Sequence, residues 1–383
     1  MVSGTRSDAQ ILCVVGARPN FIKIAPIMRA LNSPKLSLSC KLVHTGQHYD
    51  AAMKHSFFEQ LHIPEPDIDL GVGSASHAVQ TAEVMKRIEP VIDELMPDAV
   101  LVVGDVNSTI ASALVSVKKG VPVFHVEAGL RSGDRTMPEE INRILTDQIS
   151  DMLFTTERNA LDNLVHEGID RQRIHFVGNV MIDSLCYNLA NAIPSGRMLS
   201  SLCSKDQSSR FKTGYGVVTL HRPSNVDDPG VLGRLLVVLR EISDSLPLVF
   251  PVHPRTRQSI DDARLEDLVS GPQFLILPPL GYREMLGLMK DSKIVLTDSG
   301  GMQEETTALG IPCITLRENT ERPITVEEGT NTITGSDPDK IMACFNDIMA
   351  SGGKAGHIPE LWDGKAAERI ASIINDWSSS KHH

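Results

Sequence analysis

The chain has 383 residues, 41% of them hydrophobic and 22% charged, with a net charge of −11. That is the composition of a globular protein long enough for two to three domains, and it excludes a disordered, collagenous or coiled-coil chain. The acidic balance argues against nucleic acid or an anionic membrane as partner, but not against a small phosphorylated ligand that needs only a few local cations.

No run reaches the ~20 apolar residues of a membrane helix, and residues 1–10 are polar, without the apolar core of a secretory signal. Cys13, Cys40, Cys186, Cys203, Cys313 and Cys344 are scattered and form no C-x-x-C pair. The expectation is reduced thiols and a cytoplasmic protein.

In chain order, residues 11–16 read as a strand, followed by a Gly/Pro turn and a helix over 22–32. A strand over 41–45, a helix over 77–95, a strand over 99–104 and a helix over 108–119 follow, then strands at 121–126, 152–155 and 175–178. Continuous apolar strands alternating with helices predict a parallel sheet covered on both faces. Residues 191–213 are polar and show no periodicity. A second series then begins, with strands at 215–220, 248–252, 274–277, 293–297 and 312–316, a helix near 231–243 and a closing amphipathic helix over 365–377. The reading is an α/β protein of two doubly wound, Rossmann-like domains, residues 1–180 and 181–363, with the crossover near 179–195.

Ligands of such sheets sit beyond the carboxyl ends of the strands. Neither G-x-G-x-x-G nor G-x-x-x-x-G-K-[ST] occurs there, which disfavours a nicotinamide dehydrogenase and a P-loop kinase. Arg18 and Lys23 offer cations near a helix N-terminus, suited to phosphate or simply solvated. Asp105 and Glu127 each follow a strand, and Glu139 lies a little further on. If the two strands are parallel neighbours, the carboxylates share one rim, raise one another's pKa and divide the acid and base roles. The plainer alternatives are an N-cap for Asp105 and a first-turn acid for Glu139. In the second series, Ser299-Gly300-Gly301 closes a strand and opens a helix, either an anion-binding turn or a tight βα connection. Glu305 lies one turn on, a candidate acceptor for a sugar diol. His221-Arg222 and Arg322 add an imidazole and two cations after other strands. His44 and His48 span a strand end and a glycine turn rather than a helix, so no metal site is expected.

The segments Gly16-Ala17-Arg18-Pro19, Gly104-Asp105, His125–Arg131, Pro138–Arg143, His221-Arg222, Pro251–Pro254, Thr297–Glu305 and Glu321-Arg322-Pro323, in that order, resemble the non-hydrolysing UDP-N-acetylglucosamine 2-epimerase family. The resemblance implies a glycosyltransferase-B-like fold with a central cleft between the two domains, a C-terminal helix (364–380) that rejoins the first domain, and a homodimer. It implies epimerisation at C2 of a UDP-N-acetylhexosamine, UDP-GlcNAc to UDP-ManNAc, with no external cofactor, by elimination and re-addition of UDP through a 2-acetamidoglucal, in the supply of surface-polysaccharide precursors. Asp105, Glu127 and Glu139 would be the acid–base groups and His221 would support the leaving diphosphate. Arg18, Lys23 and the Ser299–Gly301 turn would hold phosphates, Glu305 the ribose, and Leu280 and Met285 would lie by the uracil. Arg143, Arg222, His253 and Arg322 would complete the substrate contacts. Alternatives on the same fold are a retaining UDP-sugar glycosyltransferase and an epimerase of a UDP-2,3-diacetamido uronic acid. Gln47-His48-Tyr49-Asp50-Ala51 departs from the usual second UDP-sugar site of regulated members.

Overall fold

The computed structural model describes residues 8–46, 63–202 and 209–381; Gln47 and His48 lie outside them, as does Cys203, and of Arg18 only the backbone is described. The chain divides into two units, residues 1–186 with 360–383, and residues 187–359. No helix among the described residues is long and apolar enough to cross a membrane.

The N-terminal unit holds seven strands: β1 (Ala9–Val15), β2 (Leu38–His44), β3 (Ile68–Asp69), β4 (Ala99–Val103), β5 (Val123–Ala128), β6 (Met152–Thr155) and β7 (Ile174–Phe176). They pair in the order β3-β2-β1-β4-β5-β6-β7, every pair parallel. The C-terminal unit holds β8 (Gly216–Thr219), β9 (Leu248–Pro251), β10 (Phe274–Leu277), β11 (Ile294–Thr297), β12 (Cys313–Thr315) and β13 (Asn331–Ile333). Their order is β10-β9-β8-β11-β12-β13, again all parallel. The strand order therefore reverses between β1 and β4 in one sheet and between β8 and β11 in the other. At these switch points the connections leave in opposite directions and open a crevice beyond the strand ends.

The helices follow from local chemistry. Pro19 opens the helix Arg18–Leu31 with its φ preset and no N–H to orphan, and Asn20 turns back to accept from the N–H of Ala17 at 3.0 Å. The helix His77–Leu95, which has the predicted limits, starts on the Ser76 cap and ends on Met96 in the left-handed region, at φ 43°. It buries Val84, Ile88 and Ile92, spaced four apart, with Ile88 and Ile92 packed in the core against β1, β2 and β4. The closing helix Ala366–Lys381 belongs to the N-terminal unit, where Asp183 accepts from the first-turn N–H groups of Ala366 and Ala367 at 3.2 and 2.7 Å. Trp377 meets the Phe124 ring edge-on at 4.9 Å.

Three expectations change. The first helix begins at Arg18, four residues before the predicted start, because the Pro19 entry outweighs the polar Asn20. The stretch 191–213 contains a helix, Ser195–Leu202; it buries only Ser195, Met198 and Leu199, too short a stripe to register as periodicity. Strand β5 runs on to Ala128, so Glu127 lies inside the strand and not after it. The register of β5 on β6 shifts between Val126 and Ala128, and Glu127 adopts φ 72° there. Such a φ in a non-glycine residue costs about 1–3 kcal/mol and persists only where its surroundings impose it.

Candidate active site

Two clusters lie at the switch points, one in each unit. In the N-terminal unit β4 and β5 are parallel neighbours, so Asp105 and Glu127 do share one rim. Each carboxylate is matched to a cation, where the sequence had suggested mutual repulsion. Glu127 forms a buried ion pair with Lys23. Gly104 makes room for it: a Cβ there would stand 3.2 Å from Glu127 Oε2 and 3.4 Å from Lys23 Nζ. Lys23, expected at a phosphate, is thus committed to a carboxylate. Asp105 pairs with Arg143, so its side chain is not the N-cap of the helix Asn107–Lys118; Val106 holds that position.

Arg143 also donates to Glu140, at 2.6 and 3.1 Å. Burial would raise the Glu140 carboxyl, but the backbone N–H groups of Ser132 and Gly133, each at 3.0 Å, and Arg143 hold it below the usual carboxylate range. Glu139 is half-buried in the first turn of the helix Pro138–Ile149. It lies four residues before Arg143, hence on the same helix face as the guanidinium that reaches Asp105.

In the C-terminal unit the rim is organised by Asp298, a fully buried residue just after β11. It accepts from the backbone N–H groups of His221 and Arg222, both at 2.9 Å, and lies 2.7 Å from His221 Nδ1. Burial opposes the charge, but His221 and these N–H groups hold the carboxyl below its ordinary value. With Nδ1 anchored, Nε2 is the nitrogen His221 has left for chemistry. His253 is exposed, its ring 6.3 Å from that of His221, and its Nδ1 accepts from the N–H of Arg255 at 3.2 Å.

Ser299 is the N-cap residue of the helix Gly300–Leu309, which begins with Gly300 and Gly301. Against Gly300 lies the Glu321 carboxylate, 2.7 Å from where a Cβ would sit. Arg317 reaches Glu321 at 2.9 Å and Arg222 at 3.6 Å. Burial works against the Glu321 charge, yet Arg322, Arg317 and Arg222 hold its carboxyl well below the usual range. Arg322 is itself buried and pairs with Glu304 at 2.7 Å. Arg222 Nε and Arg317 Nη1 are buried donors with no hydrogen-bond partner among the described residues. Guanidinium groups with unused buried donors beside a helix N-terminus are suited to an anion.

One turn along, Glu305 is buried and accepts from Tyr282 Oη at 2.8 Å. Burial pushes its carboxyl up to about 7, with Glu304 adding to the effect. Leu280 and Met285 are half-buried on either side of Tyr282 in sequence, so that one tyrosine connects their segment to Glu305.

Sequence reasoning passed over Asp298, Glu304, Arg317 and Glu321 as individual residues. Arg317 had a usable signal, since it stands two residues past the end of β12.

Two doubly wound parallel units with charged clusters at their switch points make up a glycosyltransferase-B-like fold, which the solved structure below shares. A family profile described as UDP-N-acetylglucosamine 2-epimerase matches residues 29–375. The chain belongs to that family, and is an isomerase. A UDP-N-acetylglucosamine 2-epimerase of Methanococcus maripaludis is 39% identical over 364 residues, covering 94% of this chain and 97% of its own. A UDP-2,3-diacetamido-2,3-dideoxy-D-glucuronate 2-epimerase of Pseudomonas aeruginosa is 44% identical over 370 residues, covering 95% and 99%. The crystal structure of the Methanocaldococcus jannaschii UDP-GlcNAc 2-epimerase in complex with UDP-GlcNAc and UDP superposes with a TM-score of 0.84 at 39% identity, covering 96% of this chain and 99% of that one.

Proposed function

We propose that this chain inverts C2 of a UDP-2-acetamido sugar, with UDP-GlcNAc and UDP-ManNAc as the interconverting pair. The observation that carries the reading is the pairing of Asp105 with Arg143 and of Glu127 with Lys23 on one sheet rim, two separately partnered carboxylates where one reaction needs both a base and an acid. One group of the set Asp105, Glu127 and Glu139 takes the C2 proton as the C1–O bond to UDP breaks. The products are a 2-acetamidoglucal and UDP. A proton then returns to C2 from the opposite face and UDP re-adds at C1.

The C-terminal unit supplies the handling of the nucleotide. The N-terminus at Ser299, Gly300 and Gly301, with Arg222 and Arg317, suits the diphosphate. His221, oriented by Asp298, presents Nε2 to the charge that develops as UDP departs. Leu280 and Met285 suit the uracil and Glu305 the ribose diol. Arg322 holds Glu304, and Arg143 sets the direction of Asp105, so both act behind the groups that meet substrate. Arg18 and His253 are further candidates for the charged part of the ligand.

A second reading takes a UDP-2,3-diacetamido uronic acid as substrate, and it is favoured by the 44% identity to the Pseudomonas aeruginosa enzyme. Incubation with each sugar nucleotide, followed by NMR of the product, separates the readings. UDP-ManNAc from UDP-GlcNAc supports the first; turnover of the uronic acid alone supports the second. A transferred sugar, or free ManNAc with UDP, overturns both.

Glu305 makes the ribose assignment testable by pH. Its raised carboxyl, at about 7, is protonated in the free protein below that point. A carboxylate that accepts from two ribose hydroxyls must be ionised, so binding there requires loss of a proton. The affinity for UDP-GlcNAc, which has no group titrating in this range, is expected to fall as pH drops below about 7, by up to roughly tenfold per unit. Glu305→Gln should bind more weakly at high pH and lose this slope. Calorimetry between about pH 6 and 8 reads both, and a slope unchanged in the variant removes Glu305 from the ribose site.

A further inference from the structure

His125 lies in β5, two residues before Glu127, and its ring is wholly buried. Both ring nitrogens meet acceptors. Nδ1 is 2.6 Å from Asp147 Oδ1, and Nε2 is 2.8 Å from the carbonyl oxygen of Gly104. Asp147 is equally buried, and its other oxygen takes the N–H of Gly129 at 3.1 Å and Arg131 Nη2 at 2.8 Å. A guanidinium and an amide on Oδ2 keep Asp147 a carboxylate, and a peptide carbonyl has no proton to give. A neutral imidazole carries one N–H and serves one of these acceptors; a ring protonated on both nitrogens serves both. With no solvent at hand, the unserved contact would set lone pair against lone pair. Arg131 is answered in turn by Glu167 at 2.6 Å, so the four charges balance.

The pair grips the backbone on both sides of the acid–base rim. Gly104 immediately precedes Asp105, and Gly129 follows Glu127 by two. All three turning residues have positive φ: 69° at Gly104, 72° at Glu127 and 80° at Gly129. Gly129 has no latitude either, since a Cβ there would lie 2.3 Å from the carbonyl oxygen of Ala160.

We infer that the buried His125–Asp147 pair is the positioning element of the acid–base rim, a doubly protonated imidazole that ties Gly104 to Asp147 and thereby fixes the backbone carrying Asp105 and Glu127. The inference rests on the acid–base reading of those two carboxylates proposed above. Both side chains are fully buried, behind the carboxylates of the rim. They act by holding the carboxylates in place, so their loss registers in the chemical step and not in binding.

The test uses the full-length chain labelled with 15N-histidine. At neutral pH one histidine should show one-bond N–H coupling on both ring nitrogens. That signal should vanish in Asp147→Asn and in His125→Gln. For folded Asp147→Asn, kcat should fall about 10- to 100-fold, the cost of misplacing reacting groups by about an ångström, with KM within about twofold of wild type. A wild-type ring with a single N–H overturns the inference, and so does folded Asp147→Asn with full kcat. His125→Gln gives the same kinetic readout should Asp147→Asn fail to fold, and the wild-type spectrum decides if neither folds. Full activity in Glu127→Gln would instead overturn the acid–base reading, and leaves the spectrum of His125 unaffected.

Discussion

Glu127→Gln is expected to lower kcat for C2 epimerisation by about 10²–10⁴, the range of a lost general acid or base. The substitution keeps the side chain's length and an oxygen able to accept from Lys23, so the contact at Gly104 is preserved. What it removes is the charge, and with it the capacity to take a proton. KM for the UDP-sugar should move by less than about threefold, because the nucleotide contacts proposed here come from the other unit. A stability cost accompanies the kinetic one. Lys23 is buried and loses its counter-charge, and breaking such a pair costs roughly 3–5 kcal/mol at most. Urea titration of the variant sets the conditions under which it is folded, and steady-state kinetics under those conditions gives kcat and KM. A kcat within about threefold of wild type would move the acid–base function to other residues.

How much of this was legible in the sequence depends on how local the cause is. Strand β4 is five consecutive apolar residues, Ala99–Val103, all buried, and the run declares itself. The helix His77–Leu95 declares itself by its four-residue apolar spacing. Glu127 does not, because an apolar run is read as ending where a charge begins. The charge is buried inside β5 against Lys23, 104 positions upstream, which neutralises it. The same holds for Glu304, buried on account of Arg322 from another segment, whereas Glu321 is matched by Arg317 four residues before it as well as by the distant Arg222. The rim positions of Asp105 and His221 were accessible from pattern, since a strand end is a local feature. Their partners Arg143 and Asp298 are distant in sequence, and no periodicity reports a pairing between distant elements. His125 reads as one more residue of an apolar run until the helix Pro138–Ile149 brings Asp147 against it.

Epimerisation in deuterium oxide is expected to place one deuterium at C2 in essentially every product molecule. Elimination breaks the C2–H bond, and the proton that returns comes from the opposite face of the glucal. Two distinct groups are then needed, one to remove and one to deliver. The rim offers carboxylates with different partners, Asp105 on Arg143 and Glu127 on Lys23, with Glu139 on the Arg143 face of its helix. The delivering group equilibrates with solvent before its turn comes, so product is labelled from the first turnover. Substrate recovered early should stay unlabelled, because its proton has gone to the other group. Label enters the substrate pool only as product returns. If a single group served both faces, the abstracted hydrogen would be handed back, and early product would be protiated at C2. Glu127→Gln separates the two roles: as the delivering group its loss slows reprotonation, so the glucal and UDP leak into solution during long incubation, whereas as the base its loss slows elimination and neither accumulates. NMR at C2 in the first tenth of the reaction decides it. Unlabelled product would remove the two-group elimination route, whatever the identity of the sugar.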